Sequence, residues 1–162
     1  MPTPESAGDR KLLDDIATYG WHVMNVFEAK DSPPFSYTIG LQHSYGHPEL
    51  IILGLPDNVA HPTLNIAGEA IKKGRRYLAG EVSDEFLEGY GITFRAVPLR
   101  HYPPFLGLAR WFYEGDTFST LQLVYPDRSG RWPWDPTVSA GFRDAQPVLA
   151  EAPVPRWASG AS

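Results

Sequence analysis

Apolar residues first recur at Leu12, Leu13, Ile16 and Ala17, the i, i+1, i+4, i+5 spacing of a helix that buries one face. Ser6 and Asp9 precede them with the spacing of a capping box, Asp standing where Glu or Gln is usual. Gly20 can take the left-handed conformation that ends a helix, so a helix is predicted over about residues 7–19. The period then changes. Trp21, Val23, Asn25 and Phe27 alternate with His22, Met24 and Val26, and because both sets are mostly apolar the segment reads as a strand covered on two sides. Asp31-Ser32-Pro33-Pro34 makes a turn. Phe35, Tyr37, Ile39 and Leu41 mark one face of a second strand, residues 42–48 read as a loop punctuated by Gly46 and Pro48, and the nearly continuous run 49–55 reads as an interior strand.

Pro56-Asp57-Asn58 opens a helix predicted to run to about Lys73, with Leu64, Ala67, Gly68 and Ile71 as its buried stripe and Pro62 placed near the first turn. Residues 77–89 carry a mixed pattern, read as a strand piece and a short helical turn started by Ser83. A strand follows over 92–99, then a helix begun by Pro103-Pro104 and carrying Phe105, Leu108, Ala109 and Phe112, then a strand over 120–125. Asp127-Arg128-Ser129-Gly130 is a turn, and 141–150 is irregular or weakly helical. Residues 1–8 read as a tail, 151–162 as a flexible C-terminal tail, and 9–150 as a single domain. The links between the early strands are too short for parallel crossovers. The chain is therefore expected to be α+β, a mainly antiparallel sheet with helices packed on it.

Composition narrows the function classes. The chain has 162 residues, 43% apolar and 20% charged, ordinary globular values that need no staple for folding. It has no cysteine, which removes disulfides, thiolate metal sites and a cysteine nucleophile, and fits a reducing cytoplasm. No apolar run is long enough to span a bilayer, and no basic-then-apolar leader opens the chain. A net charge of −5 argues against nucleic acid or an anionic membrane as partner. A Gly-x-Ser-x-Gly elbow, a phosphate-binding Gly-rich loop with Lys and a dinucleotide fingerprint are all missing, so the common hydrolases and dinucleotide-binding oxidoreductases are not expected.

Several strings occur together and in order: Phe35-Ser36-Tyr37-Thr38-Ile39-Gly40-Leu41, Gly46-His47-Pro48-Glu49-Leu50, Leu53-Gly54-Leu55, Leu64-Asn65, and Leu121-Gln122-Leu123-Val124-Tyr125-Pro126-Asp127 followed by Gly130 and Pro133-Trp134. Over about residues 10–150 this set resembles a bacterial family, the domain of unknown function numbered 4262. The resemblance implies a bacterial origin and a single-domain protein. It implies no activity and no residue roles.

Candidate chemistry comes from four places. His43, His47 and Glu49 put two imidazoles and a carboxylate within seven residues, a candidate divalent-metal set, with His47 and Glu49 as candidate acid–base groups. Tyr37, Thr38, Asn65 and Gln122 are polar positions inside apolar segments; if they meet in one cavity beside the central strands, they are ligand contacts. Lys72-Lys73-Gly74-Arg75-Arg76 reads either as cations favoured at a helix C-terminus or as a phosphate clamp for a nucleotide or flavin. Trp132-Pro133-Trp134-Asp135, with Asp127 ahead of it, reads as a core cover, a ligand lid or a partner hot spot. Three functions follow as expectations: a small-molecule-binding domain, enzymatic or not, with a split-barrel flavin site as one variant; a non-catalytic protein-interaction or immunity-type module; and metal-dependent chemistry at residues 43–49.

Overall fold

A computed structural model describes residues 2–150. Helix α1 (Ala7–Tyr19) starts where Ser6 Oγ accepts from the Asp9 amide, and it ends at Gly20, whose φ is 103°. Strands β1 (His22–Val26) and β2 (Phe35–Ile39) form a hairpin. A five-residue helix α2 (Leu41–Tyr45) leads to β3 (Glu49–Leu53), and α3 (Asp57–Lys72) follows. A second hairpin, β4 (Val82–Leu87) and β5 (Tyr90–Ala96), precedes the short helices α4 (Tyr102–Phe105) and α5 (Gly107–Tyr113), strand β6 (Thr120–Val124) and α6 (Ala140–Ala145).

The six strands form one sheet in the order β1-β2-β3-β6-β5-β4. Every pair is antiparallel except β3 with β6. The chain is therefore a single α+β domain, as the spacing of strands and helices predicts. Helices cover both faces. Leu50, Ile52, Leu121 and Leu123 pack beneath Leu64, Ala67 and Ile71 of α3. Phe35, Tyr37, Ile39 and Ile51 pack against Leu12 and Ile16 of α1 and Ala109 and Phe112 of α5. The alternation of side chains along each strand divides the two cores.

Three local expectations are corrected. Residues 42–48 are not all loop, because α2 forms there once Gly40 turns the chain at a φ of 116° and a buried carboxylate takes up the first amides of the turn. Residues 82–87 are strand, with no helical turn at Ser83. Pro62 lies inside α3, not in its first turn, so the helix forgoes one amide hydrogen bond there. The strand at 22–26 has both faces covered, as expected, and stands at an edge of the sheet, where among the described residues one of its sides has no neighbour. The sheet is open, with β1 and β4 at its edges, so the closed barrel of a split-barrel flavin site is not formed by the described residues. No helix among these residues is long and apolar enough to cross a membrane. The expected C-terminal tail lies outside them.

Candidate functional site

Glu49 opens β3 and is fully buried. Its carboxylate accepts hydrogen bonds from Thr38 Oγ1 at 2.8 Å, from the amides of Gly40, Leu41 and Gln42 at 3.0, 3.1 and 3.3 Å, and from the Tyr113 hydroxyl. Burial raises its pKa, and these donors offset that only in part. His47 is also buried. Its Nδ1–H donates to Pro48 O at 2.8 Å and its Nε2 accepts from the Tyr77 amide at 3.0 Å, so both ring nitrogens of the neutral imidazole are used by backbone. Burial lowers its pKa, and Arg76 and Arg75 lower it further. His43 is exposed and meets Phe112 edge-on. Glu49 thus ties the start of α2 to β3 and α5, and backbone engages both ring nitrogens of His47. Among the described residues no three His, Cys, Asp or Glu are placed to hold a metal ion.

Tyr37, Thr38, Asn65 and Gln122 do not converge. The Tyr37 hydroxyl lies on the α5 side and accepts from the Leu108 amide at 3.2 Å; burial pushes its pKa up to about 12. Thr38 Oγ1 donates to Glu49 and accepts from the Leu50 amide. Gln122 bridges the chain after α6, donating to Pro147 O and accepting from the Leu149 amide, both at 2.8 Å. Asn65, on the opposite side of the sheet from Tyr37, accepts from Trp21 Nε1 at 3.0 Å. In the basic run, Arg75 pairs with Glu81 and Glu85 and lies over the Tyr77 ring, while Lys72 and Lys73 are exposed at the end of α3. Trp132 and Trp134 stack on each other, with the Arg95 guanidinium over Trp134.

The structure brings a different set together. A groove of about 680 Å³ runs along the outer side of β1, between α1 and α3. Its α1 wall is Lys11, Asp15 and Tyr19; its α3 wall is Asp57, His61, Asn65 and Glu69. Each wall is an i, i+4 stripe, so its side chains stack on one helix face. His22 Nδ1 meets Asp15 Oδ2 at 2.8 Å, and Lys11 Nζ meets the same carboxylate at 3.1 Å. Partial burial alone would raise the pKa of Asp15, but the bonds from His22 and Lys11 outweigh it and hold the carboxyl below its usual range. On the other wall Ser36 Oγ donates to Asn25 Oδ1 at 2.7 Å, and Asn25 Nδ2 therefore donates to His61 Nδ1 at 2.9 Å. The Nε2 atoms of both imidazoles have no partner among the described residues. Beyond Phe27 and Asp57 a second concavity of about 820 Å³ continues toward α6.

The floor of the groove is backbone. Gly54 N donates to Pro34 O, and the β2–β3 register then turns the backbone groups of Ser36 and Thr38 to β3 and those of Phe35, Tyr37 and Ile39 to β1. Their partners Val26, Met24 and His22 face β2, so Val23 and Asn25 turn their N–H and C=O groups outward into the groove. The β1–β2 register is unbroken over all five pairs. The opposite edge, β4, carries a register shift between Ser83 and Leu87, an irregularity of the kind that blunts sheet edges.

The family match covers residues 15–139, from the middle of α1 past β6, against the model described as Domain of unknown function (DUF4262). The chain belongs to the DUF4262 family. The matched region includes β1, α3 and the Glu49 anchor, although Lys11 lies ahead of it. No curated protein and no solved structure matches the chain. None of His22, His61, Asp15 and Asn25 is picked out by the sequence reading. The signal that could have found them is the pair of stripes 11/15/19 and 57/61/65/69, which carry polar or amphipathic side chains at helical spacing beside the buried stripes.

Proposed function

We propose that this domain is a non-catalytic protein-interaction module that docks a partner along the outer edge of β1. The observation that supports it is the unbroken edge itself, which has no strand neighbour among the described residues: Val23 and Asn25 offer backbone donors and acceptors at the base of a groove walled by two helices. Sheet edges left in this condition are templates for another chain. The cysteine-free composition suits a reducing compartment such as the bacterial cytoplasm. Photo-crosslinking in the host cell tests the reading. A photoreactive residue at Phe27, 73% exposed and shared by the two concavities, is expected to trap one stoichiometric partner, whereas one at Leu78, 68% exposed beside β4, traps none. Equal trapping from both positions, or none from Phe27, contradicts it.

The small-molecule reading survives on a separate observation. His22 and His61 are each oriented through Nδ1 in one groove, with no partner for Nε2 among the described residues, an arrangement suited to holding or moving a proton. That pocket lies beside the edge strand and not beside the central strands. It requires a small ligand that moves both imidazole resonances together in an NMR titration, and a fragment screen in which neither moves argues against it.

A further inference from the structure

We propose that the partner segment seated on β1 is an extended, cationic stretch of polypeptide that joins the sheet as an added strand. This rests on the reading of β1 as a docking edge, and it names what that edge selects. A strand laid along five residues of β1 runs for about 16 Å and meets the outward groups of Val23 and Asn25 with every second residue of its own. Its side chains then point alternately to the α1 wall and the α3 wall. On the α3 wall Asp57 and Glu69 stand twelve residues apart, about 18 Å along the helix, so they span the seated strand from end to end. Both are exposed and neither has an ion pair among the described residues. Asp57 has a local reason for its place, the positive end of the α3 dipole. Glu69 sits in the last turn, where the helix dipole disfavours a carboxylate, with Lys72 and Lys73 three and four residues on.

The neighbouring concavity continues the same sign, with Glu28, Asp31 and Asp144 and, among the described residues, no Lys or Arg. Among the described residues the one Lys or Arg lining the groove, Lys11, is bonded to Asp15. At either side Tyr19 and Phe27, 60% and 73% exposed, offer aromatic faces on which a lysine or arginine can rest. The resulting field attracts a positive segment and repels an acidic one. It also disfavours a second copy of this chain, whose net charge is −5 and whose own edge sequence, His-Val-Met-Asn-Val, carries no Lys or Arg.

The test uses the full chain, isotope-labelled, at low ionic strength, with four capped nine-residue peptides. One alternates lysine and threonine, one alternates glutamate and threonine, and two are the lysine peptide N-methylated at alternate amides, one in each phase. The lysine peptide is expected to shift resonances of α1, β1 and α3 and to slow amide exchange at Val23 and Asn25 about tenfold or more. One phase of N-methylation is expected to weaken binding about tenfold or more, and the glutamate peptide should not bind. The variant D57K/E69K changes two exposed side chains, so it should fold as the parent does and reverse the preference. Equal binding of the lysine and glutamate peptides, or indifference to both phases of N-methylation, overturns the proposal. So does dimerisation of the free chain that protects Val23 and Asn25. If the glutamate peptide pairs with β1 as the lysine peptide does, the docking edge stands and the cationic partner falls. If no peptide disturbs β1, α1 or α3, both fall.

Discussion

Replacing Glu49 with alanine is expected to destabilise the domain by about 3–5 kcal/mol, a large part of the 5–15 kcal/mol that holds an ordinary domain folded. The side chain is fully buried and accepts from five donors on four separate pieces of structure: the end of β2, the turn at Gly40, the first turn of α2 and the end of α5. Alanine leaves those donors facing a dry cavity, and an unsatisfied buried donor costs about 1–3 kcal/mol unless water reaches it. Tyr113→Phe removes one donor and leaves the carboxylate four others, so about 1–2 kcal/mol is expected. Urea unfolding of the three proteins checks this. An alanine variant as stable as the parent would mean that the carboxylate does not anchor α2, and would return Glu49 to the list of groups free for chemistry.

Trp21→Ala is expected to cost about 3–5 kcal/mol, the range for truncating a buried tryptophan. Trp21 is 6% exposed at the start of β1, with its Nε1–H on Asn65 Oδ1 and its ring edge-on to Tyr45. It lies so close to α3 that a Cβ at Gly68 would stand 2.5 Å from the indole. Gly68→Ala therefore overfills the contact that Trp21→Ala empties, with an expected cost of about 1–3 kcal/mol. The two changes act on one contact, so the double variant is expected to be more stable than the sum of the single losses allows. Additive losses in guanidinium unfolding would show that α3 and β1 are not clamped through this pair. The clamp matters to function because it sets the width of the groove: Asn65, which receives the indole N–H, stands in the same stripe as Asp57, His61 and Glu69.

Much of the fold was legible because burial leaves a period. The i, i+4 pattern after Ser6 and the stop at Gly20 place α1, and the short links between early strands give their antiparallel pairing. The parallel contact of β3 with β6 was not legible, because nothing in two apolar runs some seventy residues apart states their relative direction. Nor was the edge position of β1. Alternation reports whether the two faces of a strand are covered, and β1 has Trp21 and Val23 packed toward α3 and Met24 and Val26 toward the other layer. It says nothing about the two sides of the strand, and the open side is where the groove lies.

The candidate site misled for a related reason. Two histidines and a glutamate near one another carry the composition of a metal or acid–base site, but residue type does not tell whether the polar atoms are already engaged. At His47 and Glu49 they are, by Pro48, Tyr77, Thr38, Tyr113 and the amides that begin α2. His22 and His61, isolated in sequence, have one nitrogen with no partner among the described residues, because α1 and α3 bring Asp15 and the Asn25 contact to only one side of each ring.

Residue-resolved amide exchange in the free, monomeric chain tests the open edge most directly. The register predicts an alternation along β1: the amides of Met24 and Val26, bonded to β2, exchange slowly, and those of Val23 and Asn25, turned into the groove, exchange fast. Slow exchange at Val23 and Asn25, matching that of Met24, would mean that the edge is already occupied, and would contradict the account.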